Sequence, residues 1–182
     1  ELIKKQVTLA AAKAGGRALI PDDLLNEVTF LVENPIAYAG RFQADFLEIP
    51  QVVLTTSMKK HQKYFPVVDK SGRLLPKFVV VTDGCQNRGV VEGNQKVLSA
   101  RLADAKFFFE EDRKEPLKLR LPELDKIAYF EKLGNLGQKS LRLVKLAEWL
   151  GRRLNLSEEE IKIAKRIAEL CKADLTTKMV YE

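Results

Sequence analysis

The stretch KYFPVVDKSGRLLPKFVVVTD, residues 63–83, constrains the fold more than any other. Two runs of β-branched and aromatic residues flank a turn at Ser71-Gly72, the pattern of two β segments folded back on one another. A chain that carries it is not a pure helical bundle. Pro66 withholds a backbone donor, which predicts either an edge position for the first segment or a strand that opens there.

The neighbouring segments give the rest of an α+β reading. PDDLLNEVTFLVEN has an acidic start and apolar residues at Leu24, Leu25, Val28, Leu31 and Val32, the spacing of a helix. PIAYAGRF and FLEIP read as short extended pieces, interrupted by Gly40 and Pro50. After the loop GCQNRGVVEG, Asn94 is a good N-cap, and a helix is expected from there to the approach to Pro116, with Leu98, Leu102, Ala105 and Phe109 on its apolar face. The texture then turns helical. SLRLVKLAEWLGRRLNL follows a possible cap at Ser140, with Leu143, Val144, Ala147, Leu150 and Leu154 at helical spacing. Ser157 and Glu160 form the signature of a capping box, and Ile161, Ala164, Ile167, Ala168 and Cys171 continue a buried stripe. EKLGNLGQK reads as a glycine-punctuated hinge. The expected division is a mixed α/β domain over 1–125 and a helical segment over 126–182.

Charge narrows the function. The net charge is +6, and residues 57–120 hold 14 basic against 8 acidic side chains, which by itself equals the excess of the whole chain. Such a stripe concentrates phosphates and makes association salt-sensitive, although a lysine-rich solvated surface has the same composition. No apolar run approaches the ~20 residues of a membrane helix, so no membrane partner is expected. Cys85 and Cys171 lie far apart without metal-ligand spacing and read as free thiols of a cytoplasmic protein. The chain opens on Glu1 and stops in mid-pattern, as a piece of a longer protein would.

The chemistry-bearing residues point to binding. A single histidine, His61, leaves no His-Cys-Cys or two-histidine metal site within the chain. No nucleophile motif such as G-x-S-x-G occurs. The glycines of GCQNRGVV are spaced as in a phosphate loop, but Val90 and Val91 stand where lysine and a hydroxyl residue are required. No catalytic and no metal-binding residue is therefore assigned. KKHQKYF within SMKKHQKYFPV, by contrast, suits RNA as an exposed basic loop. Lys59, Lys60 and Lys63 would neutralise phosphates, Gln62 would bond to base edges, and His61 or Tyr64 would stack on an unpaired base. The competing reading sends Phe65 into the core and leaves Tyr64 open between core and ligand. Arg88 and Arg101 are further candidate phosphate contacts, while most charges of their helix form a solvated face.

At this point a family comes into view. SMKKHQKYFPVVDKSGRLLPKFVVV, GNQKVLSARLADAKFFFEEDRK, EKLGNLG and CKADLTTKMVYE resemble, in the same order, the β subunit of bacterial glycyl-tRNA synthetases built from separate α and β chains. The resemblance covers about Asp22 to Glu182. It implies a division of labour: the α subunit holds the ATP, magnesium and glycine site, and β chiefly binds tRNA(Gly) and supports the α dimer. No cofactor is then expected in this chain. It also implies that the α/β part is similar to the inserted domain of the large subunit of phenylalanyl-tRNA synthetase. The helical part would open an HD-type domain, although CKADL offers only Asp174 of the metal set such hydrolases need. Two rival readings stay open: a hydrolytic module that edits mischarged tRNA, and a pure assembly domain whose basic residues are incidental.

Overall fold

The computed structural model describes residues 1–84 and 88–180; Cys85 and the side chain of Arg88, both named above, lie outside the described residues. The chain divides into two compact units, Glu1–Phe107 and Phe108–Glu182.

The first unit is a four-stranded antiparallel sheet with helices. Its elements are α1 (Leu2–Lys13), β1 (Arg17–Ala18), α2 (Asp22–Leu31), β2 (Pro35–Arg41), a 3₁₀ turn (Ala44–Glu48), α3 (Gln51–Gln62), β3 (Phe65–Val68), β4 (Leu74–Asp83) and the larger part of α4 (Arg88–Asp112). The strands lie in the order β1-β3-β4-β2. β3 and β4 are the expected hairpin, with Phe65 opposite Val79 and Val68 opposite Leu74, and a register shift between Pro66 and Val68. Asp69 closes the turn. Its carboxylate accepts from the Ser71 N–H and hydroxyl (2.8 and 2.6 Å) and from the Arg73 N–H and Nε (3.0 and 3.1 Å).

The run FVVV in β4 is apolar on both sides because both faces of the sheet are covered. Phe65, Val67 and Val79 pack with Ile3, Val7 and Ala11 of α1 and with Leu24 and Val28 of α2. On the other face Phe78 is fully buried, and the Tyr64 ring stacks on it with centroids 4.7 Å apart. Gly40 is required there: a Cβ at that position would stand 2.4 Å from the Phe78 ring. Pro66 is the second residue of β3, one past the strand start, and β3 is interior rather than an edge. Proline is tolerated because β1 ends at Ala18, before it would face Pro66. The Pro66 carbonyl still accepts from the Leu19 N–H at 2.8 Å.

Three local expectations are corrected. FLEIP is mostly a 3₁₀ turn that buries Phe46, with Ile49 just beyond it, rather than an extended piece. KKHQ, the start of the expected basic loop, is the last turn of a helix, α3; the helix's buried side mixes Leu54 and Met58 with Thr55 and Ser57, which blurs the apolar period. α4 starts by Arg88, so Asn94 lies inside it. There the Asn94 amide donates back to the Val90 carbonyl at 2.7 Å instead of capping.

The second unit holds the end of α4, a 3₁₀ run (Leu117–Lys126), the short antiparallel pair β5 (Ala128–Phe130) and β6 (Gly134–Asn135), α5 (Leu136–Arg153), α6 (Glu158–Leu170) and two further 3₁₀ turns (Ala173–Thr176 and Lys178–Val180). EKLGNLGQK is thus the turn of a small hairpin followed by a helix start, not a hinge. The cap of α5 is Asn135, whose side chain accepts from the Gln138 N–H at 2.8 Å; Ser140 is buried one turn inside the helix. The capping box of Ser157 and Glu160 is present as expected. Ile161 fills the space above Gly151, where an added Cβ would stand 2.7 Å from it. Ile167 and Cys171 are exposed rather than buried. Asp112, Arg120 and the Thr176–Met179 segment are knitted together: Arg120 pairs with Asp112 at 3.3 Å, and Asp112 accepts from the N–H groups of Lys178 and Met179 at 2.9 Å each.

Candidate nucleic-acid interface

The basic cluster is built by the way α3 ends. Lys63 adopts a left-handed conformation (φ 57°), and the Tyr64 N–H returns to the Met58 carbonyl at 3.0 Å. That reversal separates two sets of side chains. Tyr64 turns inward, only 3% exposed, while Lys59, Lys60, His61 and Lys63 stay at the helix terminus.

Lys59, Lys60 and Lys63, with Thr56, form one wall of a shallow cleft of about 190 Å³; Asp23, Leu24 and Glu27 of α2 form the other. The two walls are not electrically alike. Lys63 is tied to Glu27 at 2.8 Å, so part of its charge is already answered. Lys59 and Lys60 have no carboxylate within ion-pair distance among the described residues. They also sit where cations favour a helix, since the C-terminal carbonyls carry partial negative charge. This end of α3 is therefore stabilised by the same lysines that could meet a phosphate.

The remaining candidates are placed differently. His61 is exposed but does not line the cleft, and it makes no hydrogen bond to any described residue. Gln62 is half-buried. The Tyr64 ring is covered by Phe78, and its hydroxyl donates to Asn94 Oδ1 at 2.5 Å, so neither face nor tip is open to a base. Burial also pushes the hydroxyl pKa up to about 12. Arg101 is exposed on α4, seven residues past Asn94 and so on the same side of the helix, about 10 Å further along it. Arg88 lies outside the described side chains. The structure thus brings the three lysines together, leaves His61 and Arg101 at the surface, and takes Tyr64 into the core.

Two participants escaped the sequence reading. Glu27 half-neutralises the cleft; its only signal is its place beside the buried Leu24 and Val28 on α2. Asn94 anchors Tyr64 from a distance of thirty residues, a contact that no local pattern carries.

Chemically, the cleft can hold an anion against two free ammonium groups. No nucleophile and base are paired in it.

Comparison with known proteins agrees with this setting. The family model described as glycyl-tRNA synthetase beta subunit matches residues 1–182. Among curated proteins, the "Glycine--tRNA ligase beta subunit" of Moorella thermoacetica is 46% identical over 184 residues, covering 100% of this chain and 26% of that protein. The proteins of the same name from Bacillus subtilis and Halothermothrix orenii are 45% and 48% identical, each covering 100% of this chain and 27% of their own length. The chain therefore spans about a quarter of the length of the curated relatives it matches. The match over every residue places the chain in the glycyl-tRNA synthetase beta-subunit family.

Proposed function

We propose that this chain is a non-catalytic, tRNA-contacting part of a β subunit. It would serve a cytoplasmic ligase whose α subunit uses ATP and magnesium to attach glycine to tRNA(Gly). One observation carries the RNA contact: Lys59 and Lys60 are adjacent at a helix terminus with no carboxylate within ion-pair distance among the described residues. Tyr64 drops out of the contact, and His61 and Arg101 flank it. In this reading the sheet unit is related to the inserted domain of the phenylalanyl-tRNA synthetase large subunit, and the α5–α6 hairpin opens an HD-type domain. The support is architectural: a helix-flanked antiparallel sheet followed by an antiparallel helix pair.

The test is tRNA affinity across a salt series for the whole α–β protein. Lys59→Ala with Lys60→Ala removes two phosphate contacts and flattens the slope of log affinity against log salt by about 1.5. Lys63→Ala adds less, because Glu27 already holds it; Glu27→Gln frees Lys63 and steepens the slope. An unchanged slope in the double lysine variant would remove the RNA contact. Deacylation of mischarged tRNA, unaltered by His61→Ala, separates this reading from an editing module.

A further inference from the structure

The sheet order leaves one side of β2 without a strand neighbour among the described residues. Alternate residues of an antiparallel strand turn their backbone groups to opposite sides. On β2 the outward set is Pro35, Ala37, Ala39 and Arg41, as their partners show. The Gln6 amide of α1 donates to the Pro35 carbonyl at 2.9 Å and accepts from the Ala37 N–H at 3.0 Å, taking the place of a strand peptide. At the other end Gln95 Oε1 of α4 accepts from the Arg41 N–H at 2.9 Å. Between these two surrogates, the Ala37 carbonyl and both backbone groups of Ala39 have no partner among the described residues.

A groove of about 410 Å³ runs along this gap, with Gln6, Leu9, Ala10 and Lys13 of α1 on one side and Ala37 and Ala39 on the other. Ala10, Ala14, Ala37 and Ala39 make much of its lining small and apolar, Tyr38 also lines it, and Leu9 is still 53% exposed. One end is positive. Lys13 has no partner among the described residues, and the Lys77 ammonium reaches the nearby Ala14 carbonyl at 2.5 Å without a carboxylate. An exposed sheet edge beside a shallow groove is the arrangement in which an extended peptide adds as a strand.

We infer that this edge holds a short extended segment of the same polypeptide, drawn from outside these 182 residues, with a small side chain opposite Ala39 and a carboxylate beside Lys13. The inference rests on family membership, because the relatives carry about three quarters of their length beyond the matched part. Three free backbone groups decide between occupants. Each hydrogen bond nets little against water, and their sum falls short of what it costs to join two separate molecules. A tethered segment avoids that cost through its high effective concentration. A second copy would bring a β2 edge capped by the same two glutamines, so two such edges could meet only over the short gap.

The test uses the full-length β polypeptide assembled with its partner subunit. A photoreactive benzoyl-phenylalanine at position 9 is crosslinked and mapped by mass spectrometry, and amide exchange at Ala39 is followed in the unmodified protein. The expected result is an intrachain crosslink to a residue outside 1–182, with Ala39 exchange slowed at least about tenfold from its intrinsic rate. Lys13→Glu should cut the crosslink yield severalfold. A crosslink to another chain, one confined to residues 1–182, none at all, or Ala39 exchanging at its intrinsic rate would each overturn the inference.

Discussion

Tyr64 shows how one side chain can be diverted from a ligand to the core. Its ring covers Phe78, and its hydroxyl donates to Asn94 Oδ1. Tyr64→Phe should cost about 1–2 kcal/mol, the loss of one buried hydrogen bond that leaves its acceptor unmet, and Tyr64→Ala about 3–5 kcal/mol. Denaturant unfolding measures both. The raised pKa adds a pH signature with a definite sign. Ionising a buried phenol is disfavoured in the folded chain, so its contribution is complete below pH 10 and is lost as pH rises through about 12. The stability gap between the parent chain and Tyr64→Phe should therefore narrow across that window. A constant gap would mean that the hydroxyl is not desolvated. RNA affinity of the Phe variant should be unchanged, since nothing in that ring is presented to solvent.

At the scale of elements, caps and packing decide where helices begin and which faces they bury. Asn135 and Ser157 each accept from the N–H three residues on, Gln138 and Glu160, at the starts of α5 and α6. Asn135→Ala and Ser157→Ala should each cost about 1 kcal/mol, while Ser140→Ala, no longer a cap, should cost less or stabilise by removing an unpartnered buried hydroxyl. Thermal unfolding of the three variants checks the order. Ile161→Ala should exceed all of them, at about 2–5 kcal/mol, because the side chain is 3% exposed and fills the notch over Gly151. The other apolar stripe of the hairpin behaves differently. Trp149, Leu154 and Ile167 are 56%, 68% and 63% exposed, so polar replacements there should change the stability of this chain by no more than about 0.5 kcal/mol.

Over the whole molecule, the charges set a pH profile with an acid limb in both units. Asp69 in the first unit is held down to about 2, chiefly by the Ser71 hydroxyl and then by the backbone and side chain of Arg73. In the second unit Glu111 is lowered first by Lys114 and then by Lys178, Glu148 by Lys165 and Arg152, and Glu160 by the Ser157 hydroxyl and N–H. Each carboxyl is lowered in the folded chain, so its contribution is present above the unfolded value near 4 and is lost as pH falls through the folded one. Melting temperature should hold level from about pH 5 to neutrality and drop towards pH 2. Asp69→Asn should flatten part of that drop. A melting temperature indifferent to pH below 4 would show that these pairs carry no net stability, as exposed pairs sometimes do.

Much of this could be read in one dimension. The β3–β4 hairpin, α2, the capping box of α6 and the apolar face of α4 at Leu98, Leu102 and Ala105 are local patterns, because turn chemistry, caps and periodic burial involve residues a few positions apart. The basic cluster was legible as composition for the same reason. What composition could not reveal is which lysines are free: Glu27 answers Lys63 from another helix, and α3 itself was hidden by buried Thr55 and Ser57. Nor could it show that Asn94 serves Tyr64 rather than a helix start, or that Gln6 and Gln95 stand in for strand peptides along β2. Residue type and spacing dictated the elements and the sign of the charge. Which polar groups were left without a partner depended on contacts 29 or more residues apart, made only once the chain had closed around its sheet.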